Sequence, residues 1–126
     1  MILIADDSKF MRSYLKQALQ KQGYRNFVEA TNGEEAITLY RLIKPELVLL
    51  DITMPKIDGL TALKEIMGIN PEAKVIMCSA LSTNANMTEA LRLGASDFVV
   101  KPFFEEINKV IGKILTGGHQ LESIIF

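Results

Sequence analysis

Tryptophan is absent from this 126-residue chain, and cysteine occurs once, at Cys78. A single thiol cannot close an internal disulfide or build a thiolate metal cluster, so a reducing compartment, the cytoplasm, is the expected setting. An excess of one charge sign is also lacking, with 14 Lys and Arg facing 15 Asp and Glu for a net charge of -1. That balance leaves no electrostatic footprint for nucleic acid or an anionic membrane surface. Apolar runs are only a few residues long, far short of the roughly 20 that a membrane-spanning helix needs. Met1 leads straight into Ile2-Leu3-Ile4-Ala5, with no signal-peptide architecture. Apolar surface itself is plentiful. Hydrophobic residues make up 48% of the chain, which excludes a disordered polymer and points to elements buried on more than one face. The length suits one compact domain.

Five short β-rich apolar runs stand out: Ile2 to Ala5, Phe27 to Ala30, Leu47 to Leu50, Val75 to Cys78 and Phe98 to Val100. Unbroken apolar strands, with connections long enough for a helix in every gap, predict a parallel sheet covered on both faces. The gaps read as helices on independent grounds. Met11, Leu15, Ala18 and Leu19 form an apolar stripe before Gly23. Asn32 and Glu35 have capping-box spacing, followed by Ala36, Tyr40 and Ile43 as the buried face and Pro45 as the stop. A third helix is expected over Leu60 to Ile69, and a polar fourth from about Asn84 to Leu93, before Gly94. Ile107, Val110, Ile111, Ile114 and Leu115 stripe the last one, up to Gly117-Gly118, although Gly112 inside it costs about 1 kcal/mol against Ala. The prediction is α/β, a doubly wound five-stranded (βα)5 domain with strand order 2-1-3-4-5.

In such a sheet, ligands bind outside the carboxyl ends of the strands, at the switch point of strand order. The residues that follow the strands are Asp6 and Asp7 after the first, Asp51 after the third, Ser79 after the fourth and Lys101 after the fifth. With order 2-1-3-4-5, all of them converge on one edge. Each also has a plain structural reading. Asp7 or Ser8 would cap the first helix, Asp51 would hold the turn containing Pro55 and Gly59, Ser79 would cap the fourth helix, and Lys101 would be solvated. Together they make a different case. Three carboxylates within a few ångströms repel one another unless a cation sits among them. Oxygen-only ligands with open positions suit Mg²⁺, and a lysine beside them supplies a second positive charge for a phosphoryl group.

These segments resemble the response-regulator receiver family, and its CheY-like single-domain chemotaxis regulators in particular. The resemblance covers residues 1 to about 116 and rests on ADDS at residues 5 to 8, LLDITMPKIDG at 49 to 59, CSA at 78 to 80 and FVVKP at 98 to 102. It implies that Asp51 is the phosphoacceptor, with Asp6, Asp7, Asp51 and the main-chain carbonyl of Thr53 holding Mg²⁺. It also implies that Ser79 and Lys101 contact the phosphoryl oxygens, that Phe98 is an aromatic switch, and that the Lys101-Pro102 bond is cis. The plain reading of Phe98 is a core residue. Implied partners are a sensor histidine kinase or phosphotransfer domain as donor, with a flagellar-motor switch protein or a phosphatase downstream. No nucleic acid or membrane partner is expected, and the chain should be a monomer or weak dimer. The receiver would catalyse both its own phosphorylation and its own reset. Leu81 stands where the family flanks the hydrolytic water and cannot hydrogen-bond it, which implies a slow reset.

Rival classes fit less well. A haloacid-dehalogenase-like phosphatase places its nucleophile after the first strand with a second Asp two residues on, whereas here the residue two beyond Asp51 is Thr53 and the acidic pair comes first. A flavodoxin wraps phosphate in a loop after strand 1, where Asp6 and Asp7 would repel it. The closer alternative is the receiver of a larger regulator with a DNA-binding or enzymatic output. Three features remain outside this scheme. Lys9, Arg12 and Lys16 read as a solvated basic face, and Phe10 reads either as a docking residue for a kinase or phosphotransfer helix or as simple packing. The segment 117–126 reads as an apolar tail, with Leu121, Ile124, Ile125 and Phe126 either frayed or packed in self-association; His119 within it is assigned no role.

Overall fold

The computed structural model describes residues 1–80, 84–101 and 107–115. Expectations at Leu81, at Pro102 and for the tail 117–126 with His119 lie outside the described residues. Strands β1 (Ile2–Ala5), β2 (Phe27–Ala30), β3 (Leu47–Asp51), β4 (Val75–Ser79) and β5 (Asp97–Val100) alternate with helices α1 (Lys9–Lys21), α2 (Gly33–Ile43), α3 (Gly59–Ile69), α4 (Asn84–Arg92) and α5 (Ile107–Leu115). All strand pairs are parallel, in the order β2-β1-β3-β4-β5. The doubly wound (βα)5 prediction therefore holds. No described helix is long and apolar enough to cross a membrane.

Period-two alternation along continuous apolar strands divides the core into two layers. Ile2, Ile4, Leu47, Leu49, Ile76, Cys78 and Val99 meet Leu15 and Leu19 of α1 and Ile111 of α5 on one face. On the other, Leu3, Ala5, Val48, Leu50, Val75 and Met77 meet α2 and α3, with Ala90 of α4 at the margin. Phe98 is half-buried and packs against this second layer.

Helix starts follow the expected capping chemistry. Oxygens of Ser8, Asn32 and Asp58 accept the N–H groups of Met11, Glu35 and Thr61 at 3.2, 2.8 and 2.8 Å, each satisfying a first-turn donor without a helical partner. The Glu35 carboxylate folds back onto the N–H and hydroxyl of Thr31, both at 2.7 Å, one residue earlier than a standard capping box. One core expectation fails. Ile43 is 38% exposed, and Ile37 is buried in its place. Ile43 is the last helical residue, and the chain turns away there through Lys44, whose φ of 49° is left-handed.

Candidate functional site

The register places the ends of β1, β3, β4 and β5 side by side: Ala5 pairs with Leu50, Asp51 with Cys78, and Ser79 with Val100. Asp51 and Ser79 are the last residues of their strands rather than the first of the loops. Backbone bonds carry the alignment past the ladder, from Asp6 N–H to Ala30 O at 3.1 Å and from Lys101 N–H to Ser79 O at 2.9 Å.

Lys101 is the electrostatic centre of this edge. Its Nζ donates to Asp6 Oδ2 at 2.6 Å and lies 3.3 Å from Asp51 Oδ1, with only 14% of its side chain exposed. The solvated reading of Lys101 is thus overturned, because two buried carboxylates draw the ammonium inward. Burial pulls the ammonium pKa down, but Asp6 and Asp51 outweigh that effect, and the net displacement is upward. Ser8, and not Asp7, caps α1. Asp58 caps α3. Ser79 is fully buried beside them.

The carboxylates of Asp6, Asp7 and Asp51 each offer an oxygen within 4.8 Å of the others, with Asp6 and Asp51 buried and Asp7 exposed. Burial pushes the Asp51 carboxyl up to about 6, Lys101 opposes this, and Asp6 and Asp7 add to it. That displacement from 3.8 corresponds to about 1–3 kcal/mol held against the ionised form once solvent screening is included. A hard divalent cation among three oxygens would reverse the balance, so the donor set fits Mg²⁺. Thr53 is exposed on the loop leaving β3, two residues beyond Asp51.

That loop is pinned tightly. Gly59 N–H donates to Ile52 O at 2.7 Å, and a Cβ on Gly59 would lie 2.0 Å from Asp51 O. Only glycine lets α3 begin this close to the strand end that carries Asp51. At the start of α2, a Cβ on Gly33 would lie 1.9 Å from Ile57 O.

Two residues of this edge escape a reading of the sequence alone. Arg12 is buried rather than part of a solvated face. Its Nη1 donates to the main-chain oxygen of Asp6 at 2.7 Å, and its Nε donates to Glu29 Oε1 at 2.9 Å. Lys16 donates to Glu29 Oε2 at 3.1 Å. The available signal was Glu29 itself, a charge set in the otherwise apolar Phe27-Val28-Glu29-Ala30.

The geometry is that of a doubly wound α/β domain with buried aspartates, a serine and a lysine gathered on the carboxyl edge of its sheet. Residues 2–112 match the response regulator receiver domain, and the chain belongs to that family. It is 50% identical over 114 residues to the chemotaxis protein CheY of Thermotoga maritima, covering 86% of this chain and 95% of that one. Identity to the Bacillus subtilis chemotaxis protein CheY is 47% over 115 residues, covering 87% and 96%. The CheY chain in a CheX-CheY-BeF3-Mg²⁺ complex from Borrelia burgdorferi superposes with a TM-score of 0.86 at 38% identity, covering 90% of this chain and 87% of that one.

Proposed function

We propose that this receiver is a phosphorylation-activated chemotaxis regulator that accepts a phosphoryl group on Asp51 from a sensor histidine kinase or a phosphotransfer domain. The observation that carries the proposal is the convergence of Asp6, Asp51 and Lys101 from three strand ends. Identities of 50 and 47% to chemotaxis regulators favour this role over the receiver of a transcription factor or enzyme. In the proposal, Mg²⁺ is held by Asp6, Asp7, Asp51 and the Thr53 carbonyl, and when bound it neutralises charge on the phosphoryl oxygens.

An Asp51 carboxylate oxygen attacks the phosphorus of a phosphohistidine in line, the P–O bond forms as the P–N bond breaks, and the imidazole departs. With its pKa at about 6, Asp51 is mostly ionised at pH 7.5 and competent to attack. Lys101 shifts from the carboxylates toward a phosphoryl oxygen, and the Ser79 hydroxyl donates to another. Water later cleaves the acyl phosphate, returning Asp51 and inorganic phosphate. Movement of Ser79 frees space into which Phe98 turns, shifting the balance between two conformations of the α4-β5-α5 face. Lys109 and Lys113, both exposed on α5, give that face a charge suited to an acidic site on a motor switch protein or a phosphatase. Phe10, 74% exposed beside the acidic edge, suits the docking helix of the donor.

Intact-mass spectrometry after incubation with acetyl phosphate and Mg²⁺ tests the assignment. Wild type should gain one phosphoryl group and Asp51→Asn none; equal labelling of both would overturn it.

A further inference from the structure

Every polar atom of Asp6 is engaged. Its N–H donates to Ala30 O, its Oδ1 accepts from Ser8 N–H at 2.9 Å, its Oδ2 accepts from Lys101, and its main-chain oxygen accepts from Arg12 Nη1 at 2.7 Å. The last of these bonds differs in kind from the other three. It comes from a buried guanidinium that is itself anchored, through Nε, to Glu29 on β2, and Glu29 is held in turn by Lys16. The Glu29 carboxyl lies below its ordinary range, chiefly through its bond to Lys16 and also through Arg12, so the anchor is a full negative charge.

The carbonyl that Arg12 grips belongs to the peptide joining Asp6 to Asp7. There the chain has left the β1 ladder and has not yet entered α1, so no secondary structure orients that plane. A planar, two-armed donor fixed at one end to β2 sets the plane's direction, and with it the position from which the exposed Asp7 side chain departs. A lysine has one flexible ammonium and cannot hold both acceptors in a fixed plane.

We propose that Arg12 is a positioning residue for the Asp6-Asp7 carboxylate pair, holding it in the geometry that a divalent cation requires; this rests on the metal reading of the site given above. Partners that orient a ligand from behind typically change metal affinity about 10- to 100-fold when removed.

Calorimetric titration of Mg²⁺ into the unphosphorylated protein, at a temperature where all variants are folded, provides the test. Arg12→Lys retains the charge and loses the fork, and is expected to weaken Mg²⁺ binding about tenfold. Tyr40→Phe is the control. It removes the hydroxyl that accepts from Asn70 Nδ2 at 3.1 Å, away from the acidic edge, and should lower the melting temperature with Mg²⁺ affinity unchanged. Wild-type affinity in Arg12→Lys would overturn the positioning role and leave the metal reading standing. Loss of affinity in both variants, in step with melting temperature, would also overturn it. Wild-type protein that takes up no Mg²⁺ would overturn the metal reading, and the role of Arg12 with it.

Discussion

At the carboxyl edge of the sheet, Asp6 and Asp51 are 2% and 6% exposed and share one lysine ammonium. At the amino edge, the Met1 ammonium and Glu46 pair across 3.3 Å with 41% and 57% of their side chains in solvent. Both edges belong to the same strands, and both lie beside the same apolar layers. The difference is burial. Solvated charges at the amino edge contribute little to stability, whereas those at the carboxyl edge are held against a desolvation penalty that Lys101 only partly offsets. An edge arranged for stability alone would not bury an ionisable group whose pKa is pushed to about 6. A penalty of this kind is what the proposed cation and phosphoryl site would carry before its ligands arrive.

The largest effect is expected where the carboxyl edge is packed most tightly. Gly59→Ala sets a Cβ 2.0 Å from the Asp51 carbonyl oxygen, and either α3 or the end of β3 must move. Urea denaturation should show a loss of about 3 kcal/mol or more. A loss below 1 kcal/mol would mean that the strand end is pliable. The other end of the same helix offers the contrast, because a Cβ on Gly68 meets nothing within 4 Å. Gly68→Ala should therefore stabilise by about 0.5 kcal/mol, and a loss would break the comparison. The smallest effect belongs to the amino edge. Glu46→Gln removes the solvated partner of the Met1 ammonium, and the change should fall within about 0.5 kcal/mol in either direction.

How much of this was legible in the sequence depends on which interaction placed each residue. Apolar runs and their spacing are local, so the five strands are legible in the pattern. The order 2-1-3-4-5 is that of flavodoxin-like sheets, and the convergence of Asp6, Asp7, Asp51, Ser79 and Lys101 follows once that order is taken. Ile43 was misplaced because helical periodicity says nothing of where a helix ends relative to the sheet it covers. Arg12 was misread for a related reason. Its spacing from Lys9 and Lys16 is that of a solvated stripe, and its burial is decided by Glu29, which lies 17 residues further along the chain, and by a carbonyl that carries no residue-type signal. The inward pull on Lys101 likewise depends on a partner 95 residues away.

The central claim is that the carboxyl edge gives up stability which a cation restores, and the thermal stability of wild type and Asp51→Asn as a function of pH and Mg²⁺ tests it most directly. Folded Asp51 keeps its proton up to about pH 6, whereas the unfolded chain releases it near 3.8, so the penalty is absent below pH 4 and complete above pH 6. Without Mg²⁺, wild type should fall behind Asp51→Asn across that window, by about 1–3 kcal/mol at pH 7.5, on the order of 5–10 °C in melting temperature. Millimolar Mg²⁺ should raise wild type well above its metal-free value and Asp51→Asn much less, closing the gap. If Asp51→Asn melts below wild type in the absence of metal, or if Mg²⁺ raises both proteins equally, the carboxyl edge is not the strained cation site described above.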